Sequence, residues 1–171
     1  MRKLFILLFV LPGISASHAQ DIEVEYDKNR DFTVYKSFSI GEGEIITPKD
    51  QRKVGDDQIH KWVREAIAEE LKEKGLTQLD SLADLRVSYI IGSLERSDLA
   101  NSATGGIGAG FVMNDYEQSS FVIDMNDRNN FLVWRVNGVT STSSPNASTM
   151  IDEVVAKGFK KFSIKPKKKK K

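Results

Sequence analysis

The chain has 171 residues, with 25 Lys and Arg against 24 Asp and Glu, no cysteine, and a hydrophobic share of 40%. That length suits one domain, and the apolar share is enough to build a core. The missing cysteines exclude a disulfide framework, a thiolate metal site and a cysteine nucleophile.

The chain starts with Arg2 and Lys3, continues with an apolar run from Leu4 to Leu11, and breaks at Pro12-Gly13. Small residues follow at Ser17 and Ala19. This three-part pattern predicts a secretory signal peptide over residues 1–19, cut between Ala19 and Gln20. The run is too short to span a bilayer, which takes about 20 apolar residues. No cysteine follows it to carry a lipid.

Ile22, Val24 and Tyr26 alternate with acidic residues, which predicts a strand with one wet face. Phe32, Val34, Phe38 and Ile40 share one parity and predict a second strand, followed by a loop from Gly41 to Asp57. Asp56 or Asp57 is placed to cap a helix starting near Gln58. In that helix Ile59, Trp62, Val63, Ala66, Ile67 and Leu71 form one apolar stripe, and Gly75 ends it. Leu85, Val87, Tyr89 and Ile91 predict a third strand. Residues 95–114 are polar, then Gly-rich, and have no periodicity.

Phe121–Met125 and Phe131–Val136 flank Asp127-Arg128-Asn129-Asn130 and read as a β-hairpin. Thr149 and Asp152 fit a capping box for a second amphipathic helix carrying Ile151, Val154, Val155, Phe159 and Phe162. The order β-β-α-β-β-β-α predicts an α+β fold. It has a single sheet of about five strands, mostly antiparallel with room for a mixed pairing, and two helices on one face. The expected organisation is a signal over 1–19, one domain over 20–164 and a disordered basic tail over 165–171.

Three segments resemble the bacterial envelope proteins grouped as domain of unknown function 4136, many of them lipoprotein-like. They are Val24–Asp27 with Asp31–Phe38, Ile67–Gly75 leading to Ala83–Tyr89, and Phe121–Asp124 through Leu132–Arg135 into the last helix. The resemblance covers residues 21–163. It implies an exported α+β domain and offers no catalytic or binding residues to carry over. Members often bear a lipidated N-terminal cysteine and end soon after the last helix, and this chain departs from both habits.

Reactive chemistry is sparse. His60 is the only histidine beyond residue 19, and no G-x-S-x-G, H-E-x-x-H or S-x-x-K motif accompanies it. It reads as a surface or helix-edge histidine. The run Gly105–Gly110 within the loop 104–110 does not leave a strand tightly or open a helix, so it reads as a crossover loop rather than a phosphate cradle. Asp124, Asn126 and Asp127 lack the spacing of a calcium loop. Trp134 and Arg135 are consecutive strand residues, so they face opposite sides of the sheet, with Trp134 inward. Asn146-Ala147-Ser148 matches a glycosylation sequon, which has no meaning in a bacterial envelope. No metal and no cofactor is expected.

The unusual feature is the arm formed by Lys165, Lys167, Lys168, Lys169, Lys170 and Lys171. Taking Arg2, Lys3 and these six lysines off the total of +1 leaves a body with a net charge of −7. The sequence therefore predicts an exported envelope module of unknown biochemical activity, non-catalytic, in the periplasm or peripheral to the outer membrane of a Gram-negative bacterium. Its expected partner is an envelope protein, lipid or polymer, with the lysine arm touching anionic lipid or lipopolysaccharide and no nucleic acid involved. The alternative is a small-ligand carrier or weak hydrolase using the open sheet face and the loop 104–110.

Overall fold

The apolar stripe of the first helix determines how the layers stack. In the computed structural model, which describes residues 21–94, 118–141 and 146–166, helix α1 spans Asp56–Glu73. It buries Val63, Ala66, Ile67 and Leu71 and leaves Lys61, Glu65 and Glu69 in solvent. Helix α2 spans Ala147–Phe159 and buries Met150, Ile151, Val154, Val155 and Phe159. Both stripes meet one face of a single sheet, and their side chains join the inward residues of the strands in one core.

The sheet has six strands: β1 (Asp21–Tyr26), β2 (Ser37–Ile45), β3 (Thr77–Gln78), β4 (Leu85–Leu94), β5 (Gln118–Asp127) and β6 (Leu132–Ser141). Their order is β1-β6-β5-β4-β2-β3. β1, β6, β5 and β4 pair antiparallel, while β2 runs parallel to both β4 and β3. The sheet is thus mixed. The sixth strand is the two-residue β3, too short for periodicity to reveal.

Alternation works as the sequence reading requires. Leu85, Val87, Tyr89 and Ile91 of β4 and Phe121, Ile123 and Met125 of β5 are buried, while Arg86, Ser88, Val122 and Asp124 lie on the uncovered face.

Four boundaries differ from expectation. Phe32–Val34 is a single 3-10 turn, capped by the Asp31 carboxylate accepting from the Thr33 N–H, so β2 starts only at Ser37. β2 then runs through Gly41–Ile45, which the composition had suggested was loop, by way of a register irregularity between Ile40 and Gly43. Gly43 is required there, because a Cβ would stand 2.0 Å from Cε2 of the Tyr89 ring. At α2 the cap is Asn146, whose side chain accepts from the Ser148 N–H, rather than Thr149. At α1 the cap is Gly55, with Asp56 and Asp57 inside the first turn where carboxylates favour the helix dipole. Gly75 has φ of +98° and ends α1 in the left-handed conformation, as expected.

Candidate functional site

The strand ends that carry Tyr26, Ser37, Leu85, Asp127 and Leu132 gather at one pole of the sheet. The connections there are tied by polar groups. Asp84 accepts from the Lys36 and Ser37 N–H groups and from Ser37 Oγ, at 2.8, 3.1 and 3.1 Å. Its other oxygen meets Arg128 at 2.8 Å. The hydrogen bond from the Lys36 N–H is the main reason the Asp84 carboxyl sits below its ordinary value. Ser37 and Arg128 add to it and partial burial opposes it. Asp127 accepts from the Asn129 and Phe131 N–H groups with one oxygen and from Arg30 with the other. This is the turn-forming role that its sequence context suggested.

The C-terminal segment arrives at the same pole. Past α2, Phe162 is still buried. Its ring stands edge-on to Phe32 and Trp134 with centroids 5.5 and 5.3 Å away. Tyr26 stacks on Trp134 at 4.4 Å. Trp134 is 1% exposed and its Nε1–H donates to the Gly158 carbonyl at 3.3 Å, so it is core, and Arg135 lies on the opposite face. Above these rings is a cleft of about 580 Å³ lined by Tyr26, Asn29, Arg30, Asp31, Phe32, Thr33, Lys161, Ser163, Lys165 and Pro166, with Trp134 behind. A second cleft of about 720 Å³ lies beside the hairpin, between Leu82, Ala83, Arg86, Arg128 and Asn130. Neither is an enclosed pocket.

Of the residues singled out for surface contact, Lys165 is described. It is exposed, with its N–H donating to Ser163 Oγ at 3.2 Å. Lys167 to Lys171 lie outside the described residues, as do Ala19, Gln20 and the loop 104–110. Lys160 and Lys161 are exposed beside Lys165, so the chain leaves the fold on a basic stretch.

His60 is half-buried, with Nδ1 2.9 Å from the Tyr89 hydroxyl, linking α1 to β4. Burial raises the Tyr89 phenol above its ordinary value, with Arg64 opposing. Arg64 also donates to the Gly41 and Ile40 carbonyls. Neither His60 nor Tyr89 lines either of these clefts, and with Arg64 they fasten a helix over a strand irregularity. On the uncovered face Arg135 grips Asp124 through two hydrogen bonds of 2.7 and 2.6 Å, and Asn137 donates to Glu25. Among the described residues no three His, Cys, Asp or Glu side chains converge to hold a metal, and no helix is long and apolar enough to cross a membrane.

No periodicity or motif singles out the exposed Leu82 and Phe131 or the role of Asp84 at this pole. Leu82 is one apolar residue inside a polar loop, and periodicity carries no signal there.

The family model described as a domain of unknown function (DUF4136) matches residues 22–162. The chain belongs to this family. No curated protein matches the sequence. Among solved structures it is similar to a DUF4136 family protein from Bacteroides thetaiotaomicron. The TM-score is 0.56 and the identity 15%, over 85% of this chain and 98% of that one. It is also similar to a PelC dodecamer from Paraburkholderia phytofirmans (TM-score 0.50, 10% identity, 82% of this chain and 96% of that one). A PDZ domain protein from Parabacteroides distasonis matches with a TM-score of 0.57 and 12% identity over 86% of this chain, which spans 37% of that protein. At these identities the likeness is one of fold.

Proposed function

We infer that this DUF4136 protein is an exported, non-catalytic module of the bacterial envelope, held peripherally on an anionic surface of lipid or lipopolysaccharide. The signal-like residues 1–19 supply export, and Lys165 with Lys167–Lys171 supply the contact. The observation that carries this reading is the separation of charge: a body of −7 from which the chain departs through exposed Lys160, Lys161 and Lys165 into an all-lysine end. Each lysine near an anionic surface contributes about 1 kcal/mol at moderate salt, so five or six make a reversible hold without a lipid anchor. The two polar clusters support it as well. Asp84 with Ser37 and Arg128, and His60 with Tyr89, join elements of the scaffold.

Fractionation of the native host tests this reading. The protein should be found in the envelope fraction with Gln20 as its first residue, and a high-salt wash should release it. Recovery in the cytosol with residues 1–19 intact would refute it.

A further inference from the structure

Eight large hydrophobic side chains are exposed among the described residues. Leu82 and Phe131 are two of them, and both stand on connections at the pole where the basic segment leaves the fold. Leu82 is 89% exposed and Phe131 64%. The two loops that carry them are joined, since Arg128 beside the hairpin donates to the Leu82 carbonyl at 3.2 Å and to the Ala83 carbonyl at 3.4 Å. Leu82 is moreover held at φ of +54°, a left-handed backbone that a leucine adopts only at an energetic cost. Its side chain is left in water, so the fold gains little packing in return.

We propose that this pole is a membrane-contact surface on which Leu82 and Phe131 enter the headgroup layer of an anionic bilayer while the lysine arm holds its charge. The inference rests on the anionic-surface reading above and adds to it the part of the fold that faces the lipid. Charge complementarity selects the occupant. Lys161 and Lys165 lie at the pole, and Lys167–Lys171 continue from it. The carboxylates of Asp84 and Asp127 are turned to Arg128 and Arg30 and to backbone N–H groups. The exposed Asp27, Asp31 and Asp80 keep the folded pole from being uniformly cationic. The arm therefore supplies most of the attraction and the two apolar side chains supply depth. Peripheral membrane binding of useful strength takes two such signals together.

The absence of native cysteine allows a clean test. A polarity-sensitive fluorophore is attached to Leu82→Cys, to Phe131→Cys, or to Glu69→Cys on the exposed side of α1. Each is mixed with vesicles of phosphatidylglycerol and phosphatidylethanolamine. Blue shifts at 82 and 131 with none at 69 are expected. Vesicle binding without a shift at 82 and 131 would overturn the proposal and leave the lysine-arm reading standing. Equal shifts at all three positions would also overturn it, and no vesicle binding at any salt concentration would overturn both. The double variant Leu82→Ser with Phe131→Ser should keep its thermal melt. It should lose at least about fivefold in vesicle affinity at low salt, where the parent binds. Unchanged affinity there would refute it.

Discussion

Arg30 and Asp127 stand 97 residues apart in sequence and meet at 2.7 Å, joining the β1–β2 connection to the β5–β6 hairpin. The Asp127 side chain is only 9% exposed, and its second oxygen holds the turn by accepting from the Asn129 and Phe131 N–H groups. One carboxylate thus both shapes the hairpin that presents Phe131 and fixes it to the rest of the pole. Asp127→Ala should lower unfolding stability by about 1–3 kcal/mol, because three donors lose their acceptor. Asp127→Asn can keep the turn bonds and should cost less. Urea unfolding of the two variants gives the comparison, and equal costs would show that the Arg30 pair alone matters.

Asp84 gives the fold an acid-sensitive joint. Its carboxyl lies below the ordinary value, chiefly through the Lys36 N–H. The stabilisation is fully present above the unfolded value of about 3.9 and is lost as pH falls through the lower folded value. Asp84→Asn should therefore be less stable than the parent at neutral pH, and the gap should close as the medium becomes strongly acidic. A constant gap across the pH series would contradict the assignment.

The alkaline limb should be governed by Tyr35 and Tyr89, whose phenols burial raises above the ordinary value of about 10. A raised acid stabilises the fold fully below its unfolded value and loses that contribution as pH climbs through the folded one. Ultraviolet titration should show these two ionising late. Tyr89→Phe should remove one late phenol and cost about 0.5–1.5 kcal/mol, since the hydroxyl bonded to His60 is lost.

Gly43→Ala should be among the more damaging small changes. Its Cβ would stand within 2.1 Å of both Cε2 and Cζ of Tyr89, a ring 2% exposed that has little room to yield. A loss of about 1–3 kcal/mol is expected, read as a lower melting temperature together with a changed His60 imidazole resonance. A neutral effect would mean that the Tyr89 ring moves aside freely.

Much of this fold was legible in the residues because burial imposes periodicity. Val63, Ala66, Ile67 and Leu71 recur at helical steps, and Leu85 to Ile91 and Phe121 to Met125 alternate because one sheet face is covered. The parallel pairing of β2 with β4 left no local signal, since it follows from how α1 carries the chain back across the sheet. The extension of β2 through Gly41–Ile45 was hidden by glycine and glutamate, residues that usually mark loops. The site was less legible. The lysine arm announced itself by charge, and Trp134 by its inward parity. Leu82, Phe131 and Asp84 come together only when loops separated by more than forty residues meet at one pole. His60 gave no hint of Tyr89, because a partner on another element leaves no spacing to read.

The central claim is that this protein binds an anionic surface through its lysines, and a salt series of co-sedimentation with phosphatidylglycerol-containing vesicles tests it most directly. The parent is compared with a variant carrying Lys→Gln at Lys165 and Lys167–Lys171. The account predicts that parent binding falls steadily as salt rises and that the variant binds at least about tenfold more weakly at low salt, with an unchanged melting temperature. Equal binding of the two proteins at low salt would contradict it.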